Sequence, residues 1–379
     1  MKEIEGLAER PGTREHPGVE VERERFPCTR CGAYLEFSPG ASALTCGYCG
    51  HRQDVRPDES STIREHDFRE GLARAREMNA RELARDGVEV DCASCGARSV
   101  MEGQAGRCPF CDSPVVLHQG DDILIQPESL LPFAVSQGAA GRSFRSWLRK
   151  LWFAPGDLKK QAAGRGLDGV YLPYWTYDAH TISRYSGRRG DYYYVMETFT
   201  DSKGKRRRRR VRRTRWSSAG GMVTVHFDDT LICASTKVPR WILRKLEPWD
   251  LPELTPWDQR YLSGFTALRY DVDLQFGFNL AKERMEPTIR TAVRRDIGGD
   301  EQQITRLDVQ YGEVSFKHLL LPVWISSFRY RDRVYRFVVN ARTGEVAGER
   351  PWSKWKIVVA VLMGLLVVAM LVLLRQAYG

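Results

Sequence analysis

Eight cysteines in four C-x-x-C pairs, a long aromatic and β-prone middle stretch, and an uncharged run near the C-terminus predict an α+β protein. The expected parts are two small four-cysteine zinc ribbons, a β-rich α+β domain and one C-terminal transmembrane helix. Composition divides the chain into a disordered charged tail at 1–25, ribbon 1 at 26–56, a helical spacer at 57–87 and ribbon 2 at 88–118. An α+β domain at 121–350 follows, with a basic hairpin at 201–216, and then the membrane helix at 357–374. A chain of 379 residues is long enough for two or three compact units.

Twelve of the first 25 residues are charged and no apolar run interrupts them, the signature of a mixed-charge disordered tail and not of a signal peptide. Disulfide scaffolds are short and secreted, so these cysteines read as metal ligands in a reducing compartment, the cytosol. In ribbon 1, fourteen residues separate Cys28-x-x-Cys31 from Cys46-x-x-Cys49. In ribbon 2, twelve separate Cys92-x-x-Cys95 from Cys108-x-x-Cys111. A C-x-x-C turn aims two sulfurs at one ion, and two such turns close a tetrahedron of soft thiolates, which suits Zn²⁺. Redox pairs, disulfides and an iron centre are the alternatives. Four thiolates leave no open position for water, so both Zn²⁺ ions are expected to be structural. Gly32, Gly47, Gly50 and Gly96 supply the small residues a knuckle needs. His51 is expected to be a bystander, and Tyr34, Phe37, Tyr48 and Phe110 to pack around the metals.

Between the ribbons, Thr62 and Glu65 form a capping-box pattern. Phe68, Leu72, Ala75 and Leu83 then follow a helical period that Gly87 can end. In the middle domain Ser136 can cap a helix burying Ala140, Phe144, Leu148 and Leu151, with Pro155-Gly156 as its stop. Strands are expected at 170–177, 191–200, 222–227 and 230–234, and again at 319–330 and 333–340. A second helix is expected from Pro287 to Gly298, burying Ile289, Val293 and Ile297. Leu172-Pro-Tyr-Trp175 returns as Leu321-Pro-Val-Trp324, a weak sign of duplication. Cys233 stands alone and reads as a buried structural thiol. The pairs Asp228-Asp229 and Asp271/Asp273 are expected to be solvated.

Ile357 to Leu374 carries no charge over eighteen residues, about 27 Å of helix and close to the thickness of a bilayer's hydrocarbon core. Trp352 and Trp355 precede it at the interface, and Tyr378 lies beyond. Arg350, Lys354 and Lys356 stand before the run and only Arg375 after it, which places the N-terminal bulk in the cytoplasm of a single-pass, tail-anchored protein at the cell membrane.

The formal net charge is +10 and falls to about +6 if eight thiolates hold two Zn²⁺. Much of it comes from Lys205, Arg206, Arg207, Arg208, Arg209, Arg210, Arg212, Arg213 and Arg215. A strand with arginines on both faces cannot bury either, so the run must meet solvent or anions. With an anchor in the same chain, acidic lipid is the favoured ligand, and nucleic-acid phosphate is the alternative. No H-E-x-x-H, G-x-S-x-G or P-loop pattern occurs, and no catalytic residue is expected.

The double ribbon and the terminal anchor accompany three phrases: LLPF at 130–133, YLPYWTYD at 171–178 and RRGDYYY at 188–194. In these the chain resembles bacterial TFIIB-type double zinc-ribbon membrane proteins, from Cys28 to the anchor. The resemblance implies a neighbourhood with phage-shock-type or flotillin-like (SPFH) proteins. It implies a non-enzymatic adaptor that recruits such a partner to the cytoplasmic face of the membrane, in membrane stress or organisation. The alternative function is a membrane-tethered nucleic-acid-binding protein.

Overall fold

The structure, a computed structural model, describes residues 26–55, 62–82, 88–91, 98–101, 103–107, 114–116, 125–155, 166–200, 202, 204–330 and 333–378. The charged tail at 1–25 lies outside the described residues. Ribbon 1 is a three-stranded sheet of β1 (Leu35–Ser38), β2 (Ala43–Cys46) and β3 (Arg52–Asp54) in that order. A short β4 (His66–Asp67) leads into α1 (Phe68–Glu82). Asp67 caps this helix, its Oδ1 accepting from the N–H groups of Arg69 and Glu70 at 2.8 and 3.0 Å. This corrects the Thr62/Glu65 capping box, because Glu65 is engaged elsewhere, by Lys317 at 3.1 Å. The hairpins β5–β6 (Val88–Asp91, Arg98–Met101) and β7–β8 (Gly103–Arg107, Pro114–Val116) follow.

The middle domain comprises β9 (Ser129–Leu130), α2 (Gln137–Lys150), β10 (Asp168–Thr200), β11 (Arg206–Cys233) and α3 (Arg240–Arg244). It continues through β12 (Thr255–Pro256), β13 (Thr266–Leu268), α4 (Leu274–Ile297), β14 (Glu301–Tyr330), β15 (Arg333–Asn340) and β16 (Val346–Gly348). The last element is α5 (Lys354–Tyr378). Strand β10 is central, flanked by β11 along 174–200 and by β14 along 168–190. At about 3.3 Å per residue, its 33 residues run for about 100 Å.

Four expected strands are thus two continuous ones. The stretch 178–190 carries no apolar alternation because its buried positions are Ala179, Thr181, Ser183, Tyr185, Gly187 and Gly190. Most of these side chains are small, with β14 beside them and α4 across them: a Cβ on Gly187 would come 2.2 Å from Gln303 O and 3.3 Å from the Ile297 side chain. Close packing of a helix onto a strand hides the strand from a hydrophobicity scan. The repeated phrases are partners in the sheet, with Leu172 opposite Leu321.

Helix α4 starts at Asp273, whose Oδ1 accepts from the Phe276 N–H at 2.7 Å, and not at Pro287. It runs through the proline because Leu274, Phe278, Ala281, Met285, Ile289, Val293 and Ile297 form one buried stripe. At about 1.5–3 kcal/mol for each large side chain, that burial outweighs the roughly 3 kcal/mol of an interior proline. Gly298, at φ 67°, ends the helix. Helix α2 has the expected cap, with Ala139 N–H donating to Ser136 Oγ at 3.3 Å, and it buries Ala140, Phe144 and Leu148. Cys233 is buried beside the Ser235 carbonyl, and burial pushes its thiol up to about 12, the inert state expected of a structural cysteine.

Of the acidic pairs, Asp228, Asp271 and Asp273 are exposed, as expected. Asp273 caps α4, and Asp271 holds the Thr236 backbone N–H at 2.7 Å. Asp229 is partly buried, 2.8 Å from Lys317 Nζ.

Candidate metal centre and membrane anchor

The two knuckles of ribbon 1 have matching backbone geometry. Cys28 N–H donates to Ala33 O at 2.6 Å, and Cys46 N–H donates to His51 O at 2.8 Å. Gly32 N–H closes on Cys28 O at 2.8 Å, and Gly50 N–H on Cys46 O at 3.0 Å. Both glycines have positive φ, 75° and 71°, which is why glycine follows the second cysteine of each pair. The turns bring the sulfurs of Cys28, Cys31, Cys46 and Cys49 within 4.8 Å of one another. Cys28 Sγ lies 3.6 Å from Cys49 Sγ, and Cys31 Sγ lies 3.5 Å from Cys46 Sγ. A tetrahedron with metal–sulfur arms of about 2.3 Å has edges of about 3.8 Å, so these residues fit a metal ion.

The electrostatics point the same way. The Cys49 backbone N–H, 3.5 Å from Cys46 Sγ, is the chief influence holding that thiol down to about 6. At Cys31 the Ala33 backbone lowers the thiol, but desolvation and the other three sulfurs outweigh it and push the group up to about 12. Four sulfurs this close cannot all ionise unless a cation joins them. His51 is not among the four; its Nε2 meets Thr29 Oγ1 at 3.2 Å.

Ribbon 1 is fastened to the middle domain. Leu35, Phe37, Leu44 and Val55 belong to the same buried cluster as Phe133, Tyr261 and Phe265. The Phe37 ring lies 5.0 Å from that of Tyr261, and its N–H donates to Ser263 O at 2.9 Å. Ser263 Oγ returns a bond to Leu35 O at 2.6 Å. Phe37 therefore serves the joint, whereas Tyr48 is 86% exposed and does not pack around the metal as expected. Phe110 and the second quartet, Cys92, Cys95, Cys108 and Cys111, lie outside the described residues, which include paired strands on both sides of each C-x-x-C pair.

One helix among the described residues is long and apolar enough to cross a membrane, Trp355–Gln376, and none of it is buried against the rest of the protein. Its 22 residues span about 33 Å. Its base is tied to the loop after α2. Ser353 N–H donates to Phe153 O at 2.8 Å, and Lys356 Nζ donates to Ala154 O at 2.8 Å. Trp352 and Trp355 are exposed there as expected, and Trp152 joins them through the fold, 200 residues away in sequence. Exposed indoles beside a lysine are the composition that suits a membrane–water interface.

A third cluster, Asp178, Asp228 and Asp229, sits where β10 bulges against both neighbours. Lys317 Nζ lies 2.8 Å from Asp229 Oδ1 and 3.1 Å from Glu65 Oε1, so a cation is already built in. Desolvation raises Asp178 to about 6, against the pull of the Asp229 backbone N–H.

The described basic residues, Lys205 to Arg210, Arg212, Arg213 and Arg215, lie on or beside β11, opposite 191–200 of β10. The facing strand adds Tyr192, Tyr193, Tyr194 and Phe199, absent from the candidates that the sequence supplies, and their rings stack against these arginines. The phrase YYY beside a basic run was the available signal.

Fold and site together define a mixed helix-and-sheet protein with a four-cysteine metal-binding group and an apolar C-terminal helix suited to membrane anchoring. The chain is similar to the uncharacterized protein YdjG of Bacillus subtilis strain 168, 23% identical over 349 residues that cover 88% of this chain and 91% of that one. No family model and no solved structure matches it.

Proposed function

We propose that this chain is a non-enzymatic, zinc-stabilised adaptor that holds a partner protein at the cytoplasmic face of the membrane. The observation that carries the reading is that the four-cysteine group and the base of α5 are both fastened to one domain, by Phe37 and by Lys356. A surface presented by the ribbon then keeps a defined place relative to the bilayer. Zinc is the metal of choice for four closed thiolates without redox work. Cys28, Cys31, Cys46 and Cys49 hold one ion, and the ion's role is to lock two knuckles whose own core is small. By sequence pattern, the second quartet holds another.

The adaptor reading is favoured by what occupies the perturbed groups. Lys317 keeps its charge through Asp229 despite burial. His318 is held neutral, lowered to about 4 by burial, with Nδ1 bonded to Ile125 O at 2.8 Å. Each is engaged in holding the fold. By resemblance, the partner is a phage-shock-type or SPFH-type membrane protein.

The test is in-cell cross-linking followed by capture of the full chain in detergent. A membrane-associated protein is expected, with its recovery lost in Cys28→Ser/Cys31→Ser while the variant stays in the membrane fraction. Metal analysis is expected to find zinc. Zinc-free protein, or recovery indifferent to the cysteines, rejects the proposal.

A further inference from the structure

The arginine run forms half of a two-stranded arm. Beyond Gly190, opposite Glu301, strand β14 has ended, and only β10 and β11 continue. Helix α4 has also stopped, at Ile297, and Asp300 N–H donates to Gly190 O at 2.8 Å at the root of the arm. Ten residues of β10 therefore project about 33 Å past the domain.

The pairing register sorts the arginines onto two unlike faces, because alternate residues of a strand point to opposite sides. One face carries Arg206, Arg208, Arg210 and Arg212, opposite Thr200, Thr198, Met196 and Tyr194, with Tyr192 next in file. The other carries Arg207, Arg209, Arg213 and Arg215, opposite Phe199, Glu197, Tyr193 and Asp191. Along the arm itself acid lies on this second face, where Glu197 is 2.5 Å from Arg213 and 3.5 Å from Arg209; at the root of the first face Glu301 accepts from the Tyr192 hydroxyl at 2.8 Å. On the first face no acidic side chain among the described residues pairs with the four arginines. Instead the Arg210 guanidinium lies 3.8 Å from the Tyr194 ring centre, and that of Arg212 lies 4.1 Å from the Tyr192 ring centre. Tyr194 and Met196 are more than half exposed. This face is a file of uncompensated cations about 6.6 Å apart, interleaved with flat π surfaces.

The register also places the arm relative to the membrane. Asp168, Ile325, Val338 and Ala347 stand side by side in four adjacent strands. From Ala347, β16 runs on away from the arm and toward the anchor, because Gly348 pairs with Phe337. Tyr192 to Thr200 lie 24 to 32 residues up β10 from that level, roughly 80–105 Å of strand. Attraction to acidic lipid fades within about 10 Å at 0.1 M salt. The arm is thus at the wrong end of the sheet for the bilayer that holds α5.

We propose that the Tyr192/Tyr194/Arg206/Arg208/Arg210/Arg212 face of the arm binds single-stranded nucleic acid, its arginines tracking phosphates and its stacked guanidinium–tyrosine planes receiving bases. Recognition is independent of sequence, because nothing on this face reads a base edge.

The experiment uses the full chain in nanodiscs and a fluorescent 20-nucleotide oligouridine, followed by anisotropy. Four phosphate contacts give a salt slope of about −2.8, a roughly 50-fold loss of affinity between 50 and 200 mM salt. Arg206→Gln/Arg208→Gln/Arg210→Gln/Arg212→Gln is expected to abolish binding. Arg207→Gln/Arg209→Gln/Arg213→Gln/Arg215→Gln removes the same charge and is expected to weaken it at least tenfold less. Affinity should be equal in zwitterionic and acidic-lipid discs. No binding at 50 mM salt, equal losses from the two sets, or loss in acidic discs because the arm lies on lipid each overturns the proposal.

Discussion

Phe37→Ala tests whether ribbon 1 is held in place by its joint or by its metal. The Phe37 ring is buried between the ribbon and Tyr261 and Phe265 of the middle domain, with ring centres 5.0 and 6.4 Å away. Truncating a buried phenylalanine costs about 3–5 kcal/mol. The knuckles close on the four cysteines without Phe37, so the cost falls on docking and not on metal binding. At about 1.4 kcal/mol per factor of ten, the docked state loses at least 100-fold in its equilibrium. Hydrogen exchange reads this directly. The amides of Phe37 and Gly40 cross the joint, to Ser263 O and Phe133 O, and should lose about two orders of magnitude in protection. The amides of Cys28 and Cys46, bonded within the knuckles, should keep theirs, and the zinc content should not change. Unchanged exchange at Phe37 and Gly40 would refute the joint. Equal loss at all four amides would refute the separation of joint from metal.

Asp178→Asn bears on the bulge. Desolvation raises Asp178 to about 6, above an unfolded value near 3.9. A raised carboxylate supports the fold below its unfolded pKa, and that support is lost as pH rises through about 6. The variant should therefore equal the native protein at pH 3.5 and exceed it at pH 8 by about 1–2 kcal/mol after discounting for partial exposure, measured by denaturant titration in detergent. A destabilised variant at pH 8 would mean that Lys317 more than offsets desolvation. Gly277→Ala probes the seat of α4, where a Cβ would lie 2.4 Å from Tyr177 Oη and 2.9 Å from Trp175 Cδ1. Overpacking there should cost about 1–3 kcal/mol and lower the melting temperature by several degrees; an unchanged melting curve would show a looser seat.

What the sequence determined by itself is local chemistry. Cys28-x-x-Cys31-Gly32 and Cys46-x-x-Cys49-Gly50 specify their turns through residues five apart or fewer, so the quartet could be named before any fold was known. The same holds for Ser136 as a helix cap and for the uncharged run at 357–374, whose length alone matches a bilayer. Tertiary structure decided everything that depends on a distant partner. Pro287 reads as a helix start until the stripe from Leu274 to Ile297 has a sheet to bury itself against. The segment 178–190 reads as nothing because the helix packed on it demands small side chains. Phe37 reads as metal packing until Tyr261 and Phe265 arrive from more than 220 residues away. The arginine run reads as uniform until cross-strand register sets Glu197 against one file and only uncharged residues opposite the other. Turns, caps and lipid solubility are written in neighbouring residues, whereas burial and charge compensation belong to pairs of segments that only folding brings together.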